Sequence, residues 1–344
     1  IRLSLVGSEM CIRDRDYLVN IRYIITSFVR MIFLLISITM ISFFLITSSP
    51  MNPVDSYLGE ISISEEQRAK IEEEWGFNKS PVERYITWGT HFISGDMGDS
   101  ISYHEPVSKV LKERFQASLI LMGTAWILSG ILGFTLGVIS GTYKGSILDN
   151  IIKTVSLLFA STPVFWIGLV MLVIFAVELQ WFPLGLAAPA GKLSSQVTVM
   201  ERLHHLILPA LTLSISEISY ICLHTRQKLI DIMESDYVLF AKARGESTKQ
   251  IIMRHGLRNI CLPAVTLQFA YISELFGGSV LAEQVFSYPG LGNAATHAGL
   301  HGDAPMLLGV AVFSALFVFA GNMMANIAYG IIDPRIREGG NLDA

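Results

Sequence analysis

The nineteen residues from Met31 to Ser49 (MIFLLISITMISFFLITSS) carry no charge, and as a helix they cover a hydrocarbon layer about 30 Å thick. A run like this excludes most soluble folds, because backbone crossing lipid must bond to itself as a helix or a closed barrel. It exceeds the apolar core of a cleaved leader, and Pro50-Met-Asn-Pro53 follows without a small-residue cleavage site, so we read an uncleaved anchor. Further apolar runs at about 117–141, 151–177, 205–223, 264–286 and 305–331 bring the expected spans to six. With 51% hydrophobic residues, 16% charged residues and a mean hydropathy of +0.50, the charge fraction falls well below the quarter or so typical of soluble domains. The expected fold is all-α and integral to the membrane.

The polar segments set the orientation. Residues 50–115 form an extracytoplasmic segment rich in acids (Glu65, Glu66, Glu72, Glu73, Glu74), in which Ser62-Ile-Ser-Glu65 reads as a capping box opening a short helix. Residues 225–262 are basic instead, with Arg226, Lys228, Lys242, Arg244, Lys249, Arg254 and Arg258, which places them in the cytoplasm. An even number of spans returns both termini to one side. Arg22 and Arg30 at the first span (21–49) and Asp333-Pro-Arg-Ile-Arg337 after the last make that side cytoplasmic, with a tail at 335–344. Residues 116–334 then form a five-helix core around the 225–262 loop. The stretch from Ser4 to Arg15 resembles translated adapter sequence, and residues 1–20 are set aside as extraneous and disordered. The even balance of 25 basic and 29 acidic residues gives no reason to expect a nucleic-acid partner.

Within the spans, Gly123, Gly130, Gly133, Gly137 and Gly141 supply small residues about a turn apart, which lets helices pack closely without a hydrophobic driving force. Ser161-Thr-Pro163 predicts a kink, either lining a pathway or purely structural, with the freed carbonyl bonded by hydroxyls or neighbouring helices. Glu217, Glu274 and Glu283 lie in or near apolar runs, where a charge costs at least about 2.5 kcal/mol. They are expected to face the bundle interior or water, either meeting a cationic group on a pathway or packing as hydrogen-bonded groups. His204, His205, His297 and His301 near the interfaces are read as solvated rather than as metal ligands, and Cys11, Cys222 and Cys261 lack ligand spacing. No metal and no cofactor is expected on this chain.

The most informative segment is Asp236-Tyr-Val-Leu-Phe-Ala-Lys-Ala-Arg-Gly245, followed after nine intervening residues by His255-Gly-Leu-Arg258-Asn259 and then Pro263. Helix-compatible sequence on either side of Gly245 predicts a short helix pair at the membrane surface. Composition alone favours an ordinary basic loop that fixes topology. The residue order says more: Ala241-x-Ala243-x-Gly245 with Arg254-His255-x-x-Arg258-Asn259 resembles the coupling loop of binding-protein-dependent ABC importer permeases of the dipeptide, oligopeptide and nickel subfamily. The likeness continues through Gly277-Gly-Ser-Val-Leu-Ala-Glu283-Gln-Val-Phe286-Ser-Tyr-Pro289-Gly290-Leu-Gly292, Asp303 with Pro305, Gly321-Asn322 and the closing Asp333-Pro-Arg-Ile-Arg337, so it covers the chain from about residue 20 onward. It departs at Leu239-Phe-Ala241, where the general pattern has Glu-Ala-Ala, and at Glu246, where the subfamily has an apolar residue.

The resemblance implies a six-helix type I importer permease that binds no nucleotide. Its implied partners are a homologous second permease, two cytoplasmic ATPases carrying ATP and Mg, an extracytoplasmic binding protein and the lipid bilayer of the bacterial cytoplasmic membrane. It assigns ATPase coupling to Asp236, Tyr237, Ala241, Ala243, Gly245, Arg254, His255, Arg258 and Asn259. The candidates for pathway or gate are Pro163, Glu217, Glu274, Glu283, Pro289 and Gly290. The implied cargo is a di- or oligopeptide, with nickel or a metal chelate as the alternative. Two rival classes compete with this reading. An intramembrane enzyme lacks support, since the chain has no HExxH or GxSxG motif. A stand-alone channel or secondary transporter needs no coupling helix.

Overall fold

The computed structural model describes residues 21–48, 54, 58, 64–74, 78–192 and 194–332. Among these the regular structure is helical, with one isolated antiparallel bridge between Asp99 and Pro106. In chain order the helices are α1 (Ile21–Thr47), α2 (Glu65–Glu74), α3 (Pro81–Ile93), α4 (Val107–Thr142), α5 (Ile147–Ala160) and α6 (Val164–Met171), the last continued by a π-helical turn over Leu172–Glu178. Then follow α7 (Val199–Met233), α8 (Asp236–Ala243), α9 (Thr248–Ile251) with a π-helical turn over Ile252–Gly256, α10 (Leu257–Ala270), α11 (Ile272–Val285), α12 (Leu291–Leu300) and α13 (Ala304–Ile332).

Four helices, α1, α4, α7 and α13, are each long and apolar enough to cross a membrane, and two bent pairs, α5 with α6 and α10 with α11, bring the number to six if each pair is one span. The third expected span is therefore not one kinked helix: at Ser161-Thr-Pro163 the chain turns through 111°. Pro163 has no N–H to continue the ladder and its ring clashes with the preceding turn. The Phe159 carbonyl, which Pro163 cannot reach, accepts from the Thr162 N–H (3.2 Å), and the Ser161 and Thr162 hydroxyls add bonds to Leu157 (3.0 Å) and Leu158 (2.7 Å). The second bend, 51° at Tyr271, contains neither Pro nor Gly. There Tyr271 stacks on Tyr220 at 5.6 Å, and the Tyr220 hydroxyl donates to the Ala160 carbonyl (3.1 Å), tying the two breaks together.

The centre of the bundle is α7, which packs along α4. Gly133, Gly137 and Gly141 form the α4 side of that contact: a Cβ on Gly137 would lie 2.6 Å from Thr225 Cβ, and one on Gly133 2.8 Å from Ile221 Cβ. The small-residue reading holds for these three, whereas Gly123 faces open space and Gly130 faces Gln268. One apolar cluster, including Leu121, Ala125, Leu206, Leu213 and Leu275, fills the middle of the bundle. A second, including Val107, Leu111, Leu291 and Met306, joins the starts of α4, α12 and α13. Several helices overrun their apolar stretches; α4 begins at Val107, ahead of the expected 117, with Lys109, Lys112, Glu113 and Arg114 on its first turns.

In the acidic segment, α2 begins at Glu65 and is capped by Ser64: the Gln67 N–H donates to Ser64 Oγ and the Ser64 N–H to Gln67 Oε1, both at 3.3 Å. The capping box thus sits two residues later than the sequence suggests. Ser62 lies outside the described residues, as do Cys11, Pro50-Met-Asn-Pro53, residues 1–20 and Asp333-Pro-Arg-Ile-Arg337.

Candidate functional site

The loop after α7 forms the expected helix pair. Gly245 has φ +86°, a left-handed conformation that glycine adopts without strain. It separates α8 from α9, whose start is capped by Ser247 and Gln250 in a reciprocal box. Val238, Ala241 and Ile251 are buried together against Ile232 and Met233 at the end of α7, so the pair is one body with that helix. The opposite side of α8 is apolar and bare, with Leu239 66% and Phe240 72% exposed, and Tyr237 beside them is also exposed. Of the other candidates, Asp236, Ala243 and Arg254 are exposed, and Asn259 Nδ2 donates to the His255 carbonyl (2.8 Å). Nothing is described of the Arg258 side chain. Glu246, the departure from the subfamily pattern, accepts from Arg244 Nη2 (2.7 Å) and stands 3.7 Å from His255 Nε2, bridging the chain across the Gly245 turn. Tyr237 meets the edge of His255, with ring centroids 6.2 Å apart.

Just above this loop is a cluster that sequence reasoning missed. Asp149, 1% exposed, accepts from Arg226 Nε (2.6 Å) and Nη2 (2.7 Å), from Ser140 Oγ (2.6 Å) and from the Gly145 N–H (2.8 Å). It ties the α4–α5 turn to α7. The available signal was an acid inside the first turn of an apolar helix, which requires a partner in the low-dielectric interior.

The three intramembrane acids separate. Glu274 is exposed on α11. Glu217 is buried between α4 and α7 with a single hydrogen bond among the described residues, from Ser129 Oγ to its Oε2 at 3.2 Å. Ser129 also accepts from Gln268 Nε2 (3.2 Å), and Gln268 and Trp126 exchange side-chain and carbonyl bonds (3.0 and 2.5 Å). Glu283 is fully buried, and its carboxylate accepts from Ser118 Oγ (2.6 Å), the Gly292 N–H (2.7 Å) and the Asn293 N–H (3.1 Å). Ser118 Oγ in turn accepts from the Leu291 N–H (2.8 Å).

The Glu-x-x-Phe-x-x-Pro-Gly pattern is therefore a remote cap for α12. An anion at a helix N-terminus meets both orphan amides and the dipole. Gly290 is required there because a Cβ would collide with the Glu283 carboxylate. Pro289 precedes it in the same turn. Burial first, and then the Glu283 carboxylate, push the Tyr288 hydroxyl up to about 12. A second buried acid, Asp303, accepts from Ser100 Oγ (2.5 Å), Ser102 N–H (3.0 Å) and Ser102 Oγ (2.8 Å), and with its other oxygen from the Met306 N–H (3.1 Å), fastening the loop before α4 to the start of α13.

The histidines also find places. His204 Nε2 donates to the Trp181 carbonyl (2.7 Å) and His205 Nδ1 to the Gly185 carbonyl (2.8 Å), so both fasten the loop before α7; His204 is exposed, and His205 is buried rather than standing in water. His297 and His301 stack at 4.2 Å.

Residues 133–338 match the family described as "Binding-protein-dependent transport system inner membrane component". The chain is 33% identical to the oligopeptide transport system permease protein AppB of Bacillus subtilis over 91% of its own length and 98% of that protein. It is 30% identical to the di/tripeptide transport system permease protein DppB of Pseudomonas aeruginosa (87% and 94% covered). It is likewise 30% identical to the dipeptide transport system permease protein DppB of Escherichia coli K12 (88% and 94%).

Proposed function

The chain belongs to the family of binding-protein-dependent transport system inner membrane components, and from that premise we propose that it lines half of the translocation pathway of an ATP-driven importer of di- and oligopeptides. It is a permease of the ABC type and a multi-pass protein of the cytoplasmic membrane. Peptides are favoured over nickel by the relatives cited above, each of which is named for oligo-, tri- or dipeptide transport. The assembly comprises a second, homologous permease, two cytoplasmic ATPases that bind and hydrolyse ATP, and an extracytoplasmic binding protein. Both termini of this chain face the cytoplasm.

The observation that carries the reading is α8: an exposed apolar face of Tyr237, Leu239 and Phe240 mounted on a buried base shared with α7. An apolar face of this kind on a polar loop marks a protein interface. ATP binding closes the ATPase dimer and pushes α8, and α7 carries the displacement into the bundle because Val238 and Ala241 pack on its end. The two permeases rock open to the outside, the binding protein releases its peptide, and hydrolysis restores the inward-facing state. Glu274 is assigned to meet a peptide amine because it is exposed on α11, whereas the other two acids are enclosed within this chain.

Phe240→Asp and Gly245→Val test the coupling role. Phe240→Asp leaves the chain folded, yet the ATPases no longer co-purify and ATP-driven peptide uptake into proteoliposomes is lost. Gly245→Val forces a β-branched residue to positive φ and misdirects α9, with the same loss. Uptake that survives both changes, or survives deletion of residues 236–250, rejects the importer-subunit mechanism in favour of a motor-independent transporter.

A further inference from the structure

The sequence places residues 50–115 outside the membrane, but the packing of α3 places that helix lower. Tyr85 Oη lies 2.9 Å from Thr39 Oγ1 and donates to the Ile36 carbonyl at 3.3 Å, and the Tyr85 ring meets Phe43 edge-on at 5.5 Å. Thr39 lies eight residues inside the end of α1 at Thr47, about 12 Å along the axis. A hydrocarbon core about 30 Å thick, entered after Arg30, reaches the end of that same helix. The Tyr85 hydroxyl therefore touches α1 well below the outer surface of the bilayer, and α3 cannot make this contact while standing clear in water.

The rest of α3 fits such a position. Tyr85, Trp88 and Phe92 stack in succession (6.0 and 5.3 Å) on the side toward α1. Val82, Ile86 and Ile93 follow next around the helix, within about 40° of one another at 100° per residue, and are 54%, 58% and 87% exposed. The polar residues Glu83, Thr87 and His91 take the opposite side. The polar groups are also internally bonded: Thr87 Oγ1 donates to the Glu83 carbonyl (2.8 Å), Thr90 Oγ1 to the Thr87 carbonyl (2.8 Å), and Ser80 with Glu83 closes a capping box. Lipid-exposed helices require this satisfaction, and aromatic residues beside an aliphatic stripe suit the headgroup boundary.

We propose that α3 is an interfacial helix seated in the outer leaflet, with Val82, Ile86 and Ile93 covered by lipid acyl chains continuous with those around α1. It braces the first span against α4 through the short loop that Asp303 fastens. The inference rests on α1 crossing the membrane and is independent of the cargo.

The test is a fluorophore at Ile86→Cys, compared with Thr87→Cys, in the assembled transporter in lipid nanodiscs with Cys11, Cys222 and Cys261 replaced by Ser. At position 86, quenching by spin-labelled lipid should exceed that at 87 by at least about twofold, and quenching by aqueous iodide should show the reverse order. Equal iodide access at both positions overturns the proposal by placing the stripe in water. Shielding of position 86 from both quenchers also overturns it, because the cover is then another protein, either the second permease or the binding protein. Val82→Cys serves as the second probe if Ile86→Cys does not assemble.

Discussion

Glu283 and Glu217 are both glutamates buried in an apolar bundle, yet the protein treats them in opposite ways. Glu283 receives a hydroxyl and two backbone amides at the start of α12, whereas Glu217 receives one hydroxyl from Ser129 midway along the α4–α7 contact. Around the first, glycine at 290 clears room for the carboxylate. Around the second, the side-chain oxygen Oε1 of Gln268 has no partner among the described residues. The difference teaches that burial of an acid within a membrane bundle is no indication of role by itself: what decides is whether the surroundings were built to hold a charge. The end of the bundle at α12 is a fixed assembly in which acids serve as helix caps. The middle is a less saturated contact between helices.

The sharpest way to break this comparison is Glu283→Ala. It strands the Gly292 and Asn293 amides and the Ser118 hydroxyl, and hydrogen bonds to charged groups contribute about 1.5–3 kcal/mol each. The expected loss is roughly 3 kcal/mol or more, read as a large drop in the melting temperature of the detergent-solubilised complex and in its yield. A melting temperature within a degree of the parent removes the cap role. Gly290→Ala comes next. Its added methyl must displace the carboxylate, and overpacking of this kind costs about 1–3 kcal/mol. Combining it with Glu283→Ala sharpens the result: the methyl then has space, so the double variant should be less destabilised than the sum of the two single changes.

How far this contrast could be read in advance differs by element. The apolar runs made the helices that can cross a membrane legible, and the order of residues around Gly245 made the helix pair legible, because both signals are local. Helix length was less so: hydropathy reports the part of a helix in lipid, and α4 continues through Lys109, Lys112 and Arg114 beyond it. Pro163 announced a break but not its size of 111°. The bend at Tyr271 had no announcing residue, and the ring stacked on it comes from another helix. Asp149 and Arg226 stand 77 positions apart, and Ser118 and Glu283 165. Such pairings are tertiary and leave no periodic trace, so Glu283 read as an acid in a pattern, while its partners stayed hidden.

The same substitution at both sites makes the smallest and most discriminating test. Glu283→Gln keeps an oxygen for the two amides but removes the charge that strengthens those bonds at a helix N-terminus, at an expected cost of about 1–2 kcal/mol. Glu217→Gln changes less. Among the described residues its one partner, Ser129 Oγ, can turn its proton to accept from the new amide or donate to the new oxygen, and no described backbone amide depends on the lost charge. The expected change is within about 0.5 kcal/mol, with peptide uptake retained because the residue is enclosed by α4 and α7 and not on an exposed wall. Melting curves of the two Gln variants, run side by side with uptake assays, decide the matter. Equal destabilisation would mean that Glu217 holds structure that its single hydrogen bond does not account for. Intact melting with lost uptake at Glu217→Gln would mean that the α4–α7 contact opens during transport and exposes the carboxyl to the cargo.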